Sequence, residues 1–463
     1  RRSEPVMKPI VSIGNQDFRS IRENHNFYID KTAFIKEWWE NQDTVTLITR
    51  PRRFGKTLNM SMVENFFSIQ SKAEENLFTG LEIWKEEKYR ELHGKYPVIF
   101  LSFASVKGDT YSDVREGIVQ TILDLYAKYD YLRQSDALNE KEKAYFDYVN
   151  GEMSNTIAAM ALRRLSLCMS LYYGKKVLIL LDEYDTPLLE AYTDGYWDEM
   201  ITTCRQLFHN TLKENDYLGR AIITGVTKVS KNSLFSDLNN LLVATVTDDI
   251  YTDCCGFTEQ EVMDALKCQN MDTMHDVKEM YDGFIFGKQK DMYNPWSICN
   301  YMRSGELQSY WINTSSNKLI GEIIRRHPVR SKHEIEQLMA GEIIHKEINE
   351  NVTFQYLDGD ENSLWSLFLA VGYIKAENVV KQGESTWCDM SVTNREVMGM
   401  FRYEILAMFE NGNAVYNDFT KALLSHRMED LNDILLDIAY TSMSYFDVGK
   451  CPPERTPENF YRG

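Results

Sequence analysis

Nearly continuous apolar runs recur through the first half of the chain: "TVTLIT" (44–49), "YPVIFLSF" (96–103), "KKVLILLD" (175–182) and "GRAIITGV" (219–226). They read as buried strands, and "LLVATVT" (241–247) is a weaker strand candidate. Between them, Val114–Tyr129, Asn155–Tyr173 and Trp197–Asn215 carry the spacing of amphipathic helices. These intervals leave room for crossover helices, which predicts an α/β fold built on a parallel sheet. In "GFTEQEV", Thr258 and Glu261 fit a capping box. The pattern then turns mostly helical, with "LWSLFLAVGYI" and "ALLSHRMEDLNDILLDIAYTSMSYF" as helix candidates.

At 463 residues the chain is long for a single domain. The pattern divides it into a core over 9–250, a helical, lid-like segment over 251–320 with aromatic-rich elements, and a mainly helical region over 321–463. Hydrophobic residues at 43% and aromatics at 12% support sizeable cores and argue against disorder. The net charge of -18 repels polyanions, so nucleic-acid binding would need a local basic patch. "IRRHPVRSKHE" (324–334) is the one obvious basic cluster, and such runs more often form solvated faces. His327 and His333 within it have no ligand set around them. Eight cysteines without C-x-x-C or zinc-ligand spacing suit a reducing interior. No apolar run approaches a membrane span, and no signal-like start is present, so a cytoplasmic location is the expectation.

The strongest chemical signal is "ITRPRRFGKTLNMS", where an apolar strand runs into a helix through Gly55-Lys56-Thr57. Backbone N–H groups of such a loop and helix start point at phosphate oxygens. Lys56 would bridge phosphates and the Thr57 hydroxyl would ligate Mg²⁺. Gly55 lets the backbone turn and approach closely. Against this, the position that normally holds the first glycine is Arg50, and a basic surface turn explains the tripeptide alone. A second motif shifts the balance, because "KKVLILLDEYD" ends a strand in Asp182-Glu183. One carboxylate there would hold Mg²⁺ and the next would orient the attacking water. Beyond "GRAIITGV", Thr224 or Thr227 is a candidate γ-phosphate sensor, with Thr224 ahead; the alternative is a hydroxyl that closes a turn.

These residues resemble a bacterial and archaeal family of AAA-ATPase-like P-loop NTPases, commonly fused to a C-terminal PD-(D/E)XK nuclease domain. The matching stretches are "IGNQDFRSIRENHNFYIDKTAFI", "LITRPRRFGKTLNMSM", "LLDEYDTPL", "ITGVTKVSKNSLFSDLNNL", "YDGFIFG", "MYNPWSI" and "YWINTSSN". "SLWSLFLAVGYI", "TNREV" and "ENFY" extend the likeness toward the C-terminus. In that family the loop reads R-P-R-R-F-G-K-[ST], so Arg50 belongs to the pattern. The resemblance implies an additional-strand P-loop core with sheet order 5-1-4-3-2, ATP and Mg²⁺ as ligands, and a helical C-terminal region. It assigns Lys56 and Thr57 to phosphate and metal, and Asp182 and Glu183 to the acidic pair. Since "ENFY" opens the nuclease portion in the family, residues 321–463 are expected to end at the entry to a further domain, the only expected route to nucleic acid.

Other residues have two readings each. Tyr28, Asp30 and Lys31 are candidate base or ribose neighbours, while Asp30 equally suits a cap for the helix that follows. Arg52 and Arg53, with Phe54 and Leu58 beside them, complete the expected nucleotide-binding set; the arginines would neutralise phosphate or pair with Asp182–Asp185. Asp185 would support a cation or cap a helix, and "YNPWS" suits an N-cap at Asn294 with Trp296 packing inward. The leading expectation is an ATPase switch with Lys56, Glu183 and Thr224 as its catalytic groups. The alternatives are a nucleotide-binding scaffold with little turnover and a nucleic-acid binder acting through 324–334.

Overall fold

The structure, a computed structural model, describes residues 8–71, 75–229, 234–235, 238–311, 329–348, 361–383, 385–407 and 412–442. Its centre is a five-stranded sheet of β1 (Val45–Thr49), β2 (Val98–Ser102), β3 (Val177–Asp182), β4 (Leu218–Gly225) and β5 (Leu241–Ala244). All its pairings are parallel, and the order is β2-β3-β4-β1-β5. From the other edge this is 5-1-4-3-2, the order the family resemblance implies. β1 and β3 are buried along their whole length, which explains why their sequences are continuous apolar runs.

The crossover helices follow from local signals. Ser154 caps the helix Asn155–Tyr173 by accepting from Ile157 N, and Gly174 ends it at φ 67°. Thr110 caps Tyr111–Lys128 in the same way. The register aligns the carboxyl ends of the strands, with Thr49 opposite Gly225 and Ser102 opposite Asp182. Loops after β1, β3 and β4 therefore open at one edge, where α/β sheets bind their ligands.

Helices account for much of the remaining described chain, and Thr258 and Glu261 form the expected capping box of Glu259–Cys268. Two small antiparallel sheets stand among them. One pairs β6 (Phe257–Thr258), β8 (Gln289–Tyr293) and β7 (Phe284–Phe286); the other pairs β10 (Ile374–Gln382), β11 (Ser385–Val392) and β9 (Ile344–Ile348). β6 to β9 are short and β10 is largely exposed, so no apolar run announces them. "LWSLFLAVGYI" is helical only to Val371 and enters β10 at Ile374. The last helix candidate divides into Gly412–Leu424 and Met428–Ser442, with His426 at φ 54° between them.

One hydrophobic cluster runs from Phe18 through the sheet to Phe401, and a smaller one gathers Val262, Val277, Ile298 and Tyr301. Aromatic rings carry the main cluster outward from the loop after β1. Phe54 meets Phe284 at 4.7 Å, Phe284 meets Trp311 at 5.7 Å, and Trp311 meets Tyr373 at 5.5 Å. Tyr373 then meets Phe401 at 6.0 Å. Among the described residues no helix is long and apolar enough to cross a membrane.

Candidate functional site

β1 ends at Thr49 and the helix Lys56–Phe67 begins after Gly55, so residues 50–55 must reverse direction sharply. Two left-handed residues do this, Arg53 at φ 67° and Gly55 at φ 83°. Gly55 adopts that conformation without strain; Arg53 does so at a cost, with its guanidinium 4.5 Å over the Trp296 ring. The helix start thereby aims its free N–H groups and positive dipole end at the cavity.

Arg50 has another task. Its side chain is fully buried, and Nη1 donates to the carbonyls of Thr49 (2.8 Å), Ala244 (3.2 Å) and Thr245 (2.8 Å). Nη2 donates to those of Ile250 (3.3 Å) and Tyr251 (2.8 Å), and the guanidinium lies 4.9 Å from the Phe286 ring. The arginine in the glycine position ties the loop to the chain leaving β5. Lys56, itself buried, donates from Nζ to Arg50 O and Pro51 O at 2.9 Å each. Burial lowers its pKa, opposed by the charges of Glu183, Cys255, Asp182 and Asp185.

Across the sheet edge, Thr57 Oγ1 donates to Asp182 Oδ2 at 2.8 Å. Thr224 Oγ1 donates to Asp182 Oδ1 at 2.6 Å, and Ser102 Oγ reaches Oδ2 at 3.3 Å. Burial raises the Asp182 pKa and the Glu183 charge adds to this, while Thr224, Thr57 and Lys56 pull it down. Three hydroxyls, and no cation paired within salt-bridge distance among the described residues, satisfy this carboxylate. A carboxylate beside a hydroxyl is a hard oxygen pair of the kind Mg²⁺ takes when phosphates supply further ligands. Among the described residues no group of three or more His, Cys, Asp or Glu is placed to hold a metal alone. The donor set fits a nucleotide-borne Mg²⁺.

Glu183 stands at φ 51°, an uncommon value for a residue with a Cβ, and Oε2 accepts from Thr186 Oγ1 at 3.3 Å. The rest of "DEYD" acts as a lock. Asp185 Oδ2 accepts from Val226 N (3.0 Å), Thr227 N (2.8 Å) and Thr227 Oγ1 (2.8 Å). Tyr184 Oη donates to Thr227 O at 2.8 Å. Asp185 thus neither pairs with an arginine nor makes a side-chain cap, and the Thr227 hydroxyl is engaged behind the strand ends.

A cavity of about 380 Å³ opens over these groups. Arg52, Arg53, Phe54, Gly55, Lys56, Thr57, Leu58 and Glu183 line one part of it, and Tyr28 and Trp296 another. The Phe54 ring is buried against Phe284 and Phe286, which leaves its backbone for a ligand. Asp182 and Thr224 support the site from behind. Asp30 does not line the cavity: Oδ1 accepts from Thr32 N and Oγ1 at the entry to the helix Ala33–Asn41, and Oδ2 from Glu82 N. Lys31 lines the cavity while bonded to Glu261 at 2.7 Å. Tyr28 Oη donates to Met62 Sδ at 3.3 Å.

Residues 12–235 match the family model described as predicted AAA-ATPase. The AAA-ATPase-like segment includes the loop, the acidic strand end and Thr224. A second likeness reaches further along the chain. The uncharacterized protein in the vnfD 5′ region of Azotobacter chroococcum mcd 1 is 26% identical over 403 residues, covering 86% of this chain and 70% of its own.

Sequence reasoning overlooked Ser102 as a donor to Asp182, and it gave Trp296 only a packing role. Asn294 does cap Pro295–Ser304 by accepting from Trp296 N, as expected, yet Trp296 also carries Arg53. Arg325, Arg326 and His327 of the basic patch lie outside the described residues, as does "ENFY". Exposed His333 lies 3.6 Å from Glu336.

Proposed function

We propose that this protein binds ATP with Mg²⁺ and hydrolyses it as a switch read by its C-terminal region. The observation that carries the reading is the Thr57–Asp182 bond beside Glu183, at the start of the helix that follows the loop. Loop N–H groups, Lys56 and Arg52 would bind the phosphate chain. Thr57 and Asp182 would hold the metal, which neutralises phosphate charge when bound. Glu183 would accept a hydrogen bond from the attacking water and orient it in line with the γ-phosphate. Thr224 would act through Asp182, holding the carboxylate in place rather than touching phosphate.

The loop's side chains support the switch. Gly372, at φ 87°, approaches Pro51 so closely that a Cβ there would lie 2.9 Å from Pro51 Cγ. With Arg53 on Trp296 and Phe54 on Phe284, the loop touches the lid-like part (251–320) and the C-terminal part (321–463) directly. A shift of the loop between nucleotide states would move contacts that a glycine loop lacks. The downstream effector is, by the family resemblance, a nuclease.

A second reading, a nucleotide-holding scaffold with little turnover, draws on the anchoring of the loop by Arg50 and of Lys56 by its own loop carbonyls. Steady-state phosphate release by wild type and Glu183→Gln decides between them. Turnover that falls at least ~100-fold in Glu183→Gln with ATP binding retained supports the switch. ATP binding with no turnover above the variant favours the scaffold.

A further inference from the structure

Cys254 and Cys255, adjacent in sequence and unassigned in the mechanism above, pack against the back of the phosphate loop. Both are buried, and their sulfur atoms lie 3.6 Å apart. Cys254 also borders the cavity. Three contacts bind their segment to the site: Asn59 Nδ2 donates to Cys254 O at 2.5 Å and to Cys255 Sγ at 3.5 Å, and Gly256 N donates to Phe54 O at 3.0 Å. The single Cys254 S–H faces two acceptors, Tyr251 O at 3.1 Å, a carbonyl that Arg50 holds, and Cys255 Sγ, and donates to one of them at a time.

The two thiols differ in character. The hydrogen bond from Cys254, with burial opposing and the Arg50 and Lys56 cations helping, holds Cys255 below the usual thiol range. Cys254 is raised, first by that same bond and then by burial. The adjacent sulfurs, one of them on a residue bordering the cavity, form a pair in which one sulfur can be oxidised and the other can resolve it. Cys168, Cys204, Cys299 and Cys388 are each pushed up to about 12, chiefly by burial, and are inert by comparison.

We propose that Cys254 and Cys255 form a peroxide-sensitive dithiol, and that its oxidation to a vicinal disulfide disables the nucleotide cavity. Cys255 thiolate attacks one oxygen of hydrogen peroxide, the O–O bond breaks, and the departing hydroxide takes a proton to become water. Cys254 sulfur then attacks the resulting sulfenic sulfur, the S–O bond breaks, and the second water leaves with the Cys254 proton. The two thiols lose two protons and two electrons in total, and one peroxide becomes two waters. Closing the bond brings the sulfurs to about 2.05 Å. That movement withdraws Cys255 from Asn59 and Cys254 from Tyr251, on the segment hydrogen-bonded to Phe54. The consequence for nucleotide rests on the ATP reading above; the sulfur chemistry does not.

The test uses the full reduced chain treated with hydrogen peroxide, alkylated, digested and mapped by mass spectrometry, in parallel with ATP titration. The expected result is a 254–255 peptide two hydrogens lighter and unalkylated, with ATP affinity reduced at least ~10-fold and restored by a thiol reductant. Cys255→Ser should bind ATP and keep its affinity after peroxide; Cys254→Ser is the parallel variant should the first fail to fold. No 254–255 disulfide, a disulfide with unchanged affinity, or an equal loss in Cys255→Ser overturns the proposal. If the reduced wild type binds no ATP, the ATP reading fails instead, and the disulfide map alone decides the dithiol.

Discussion

The Thr57 hydroxyl donates to the Asp182 carboxylate at 2.8 Å, joining residues 125 positions apart. The contact exists because β1 and β3 end at the same sheet edge, with β4 between them. Thr224, at the end of that middle strand, donates to the other oxygen of the same carboxylate. Hydroxyls from β2, from β4 and from the helix after β1 thus converge on one buried acid at the end of β3.

Thr224→Val should separate positioning from binding. With one donor gone, Asp182 keeps Thr57 and Ser102 but loses its fixed orientation. Turnover is expected to fall ~10- to 100-fold and the Mg²⁺ concentration for half-maximal rate to rise, with ATP affinity in excess Mg²⁺ little changed. Steady-state kinetics across a magnesium series measures both, and an unchanged magnesium dependence would remove Thr224 from the site.

Restoring the usual glycine should harm the protein. Arg50→Gly leaves the carbonyls of Thr49, Ala244, Thr245 and Tyr251, all in buried bonds, and the part-buried carbonyl of Ile250 without their shared donor. A loss of about 3–5 kcal/mol is expected in urea unfolding. Arg50→Lys should recover little, because one ammonium does not span carbonyls arranged around a planar fork. Wild-type stability in Arg50→Gly would show the anchor to be dispensable.

Much of this architecture is legible in the sequence, for identifiable reasons. The strands β1 and β3 are buried throughout and β2 and β4 for most of their length, so their apolar runs stand out; Asp182 and Glu183 sit at the end of one run, and Lys56 and Thr57 open the helix that follows another. The Arg50 anchor was hidden because its acceptors are backbone carbonyls of Thr49 and of residues 244–251, which leave no side-chain signature. Asp30 carried two readings, and its carboxylate hydrogen-bonds Thr32 and Glu82 outside the cavity. The β10 strand escaped notice because its second half is exposed and polar residues interrupt the alternation.

Gly372→Ala tests whether the C-terminal part presses on the loop. Its Cβ would collide with Pro51 and Phe284, whereas Gly383, also at positive φ, has open space around it. Both Gly→Ala changes carry backbone strain of roughly 1 kcal/mol, so only the contact differs. Gly372→Ala should weaken ATP binding several-fold and Gly383→Ala should not. Equal effects in the two variants would argue against a coupling contact.

Glu396 gives the stability a pH dependence. Its buried carboxyl accepts from Ser297 Oγ and Trp311 N, and burial pushes it up to about 7 against an ordinary 4.5. A raised folded-state pKa means this contribution is complete below the unfolded value and is lost as pH rises through the folded one. Between 4.5 and about 7 the loss amounts to about 3 kcal/mol. Glu396→Gln should remove that part of the slope when urea midpoints are compared at about pH 5 and about pH 8. Identical slopes in variant and wild type would contradict the assignment.

The most direct test is a calorimetric titration of ATP with and without Mg²⁺, on wild type and Thr57→Ala. The account predicts that Mg²⁺ tightens ATP binding to wild type by at least ~10-fold, and that Thr57→Ala loses most of this gain. ATP binding that ignores Mg²⁺ in wild type, or a gain that survives intact in Thr57→Ala, would contradict a metal held between Thr57 and Asp182.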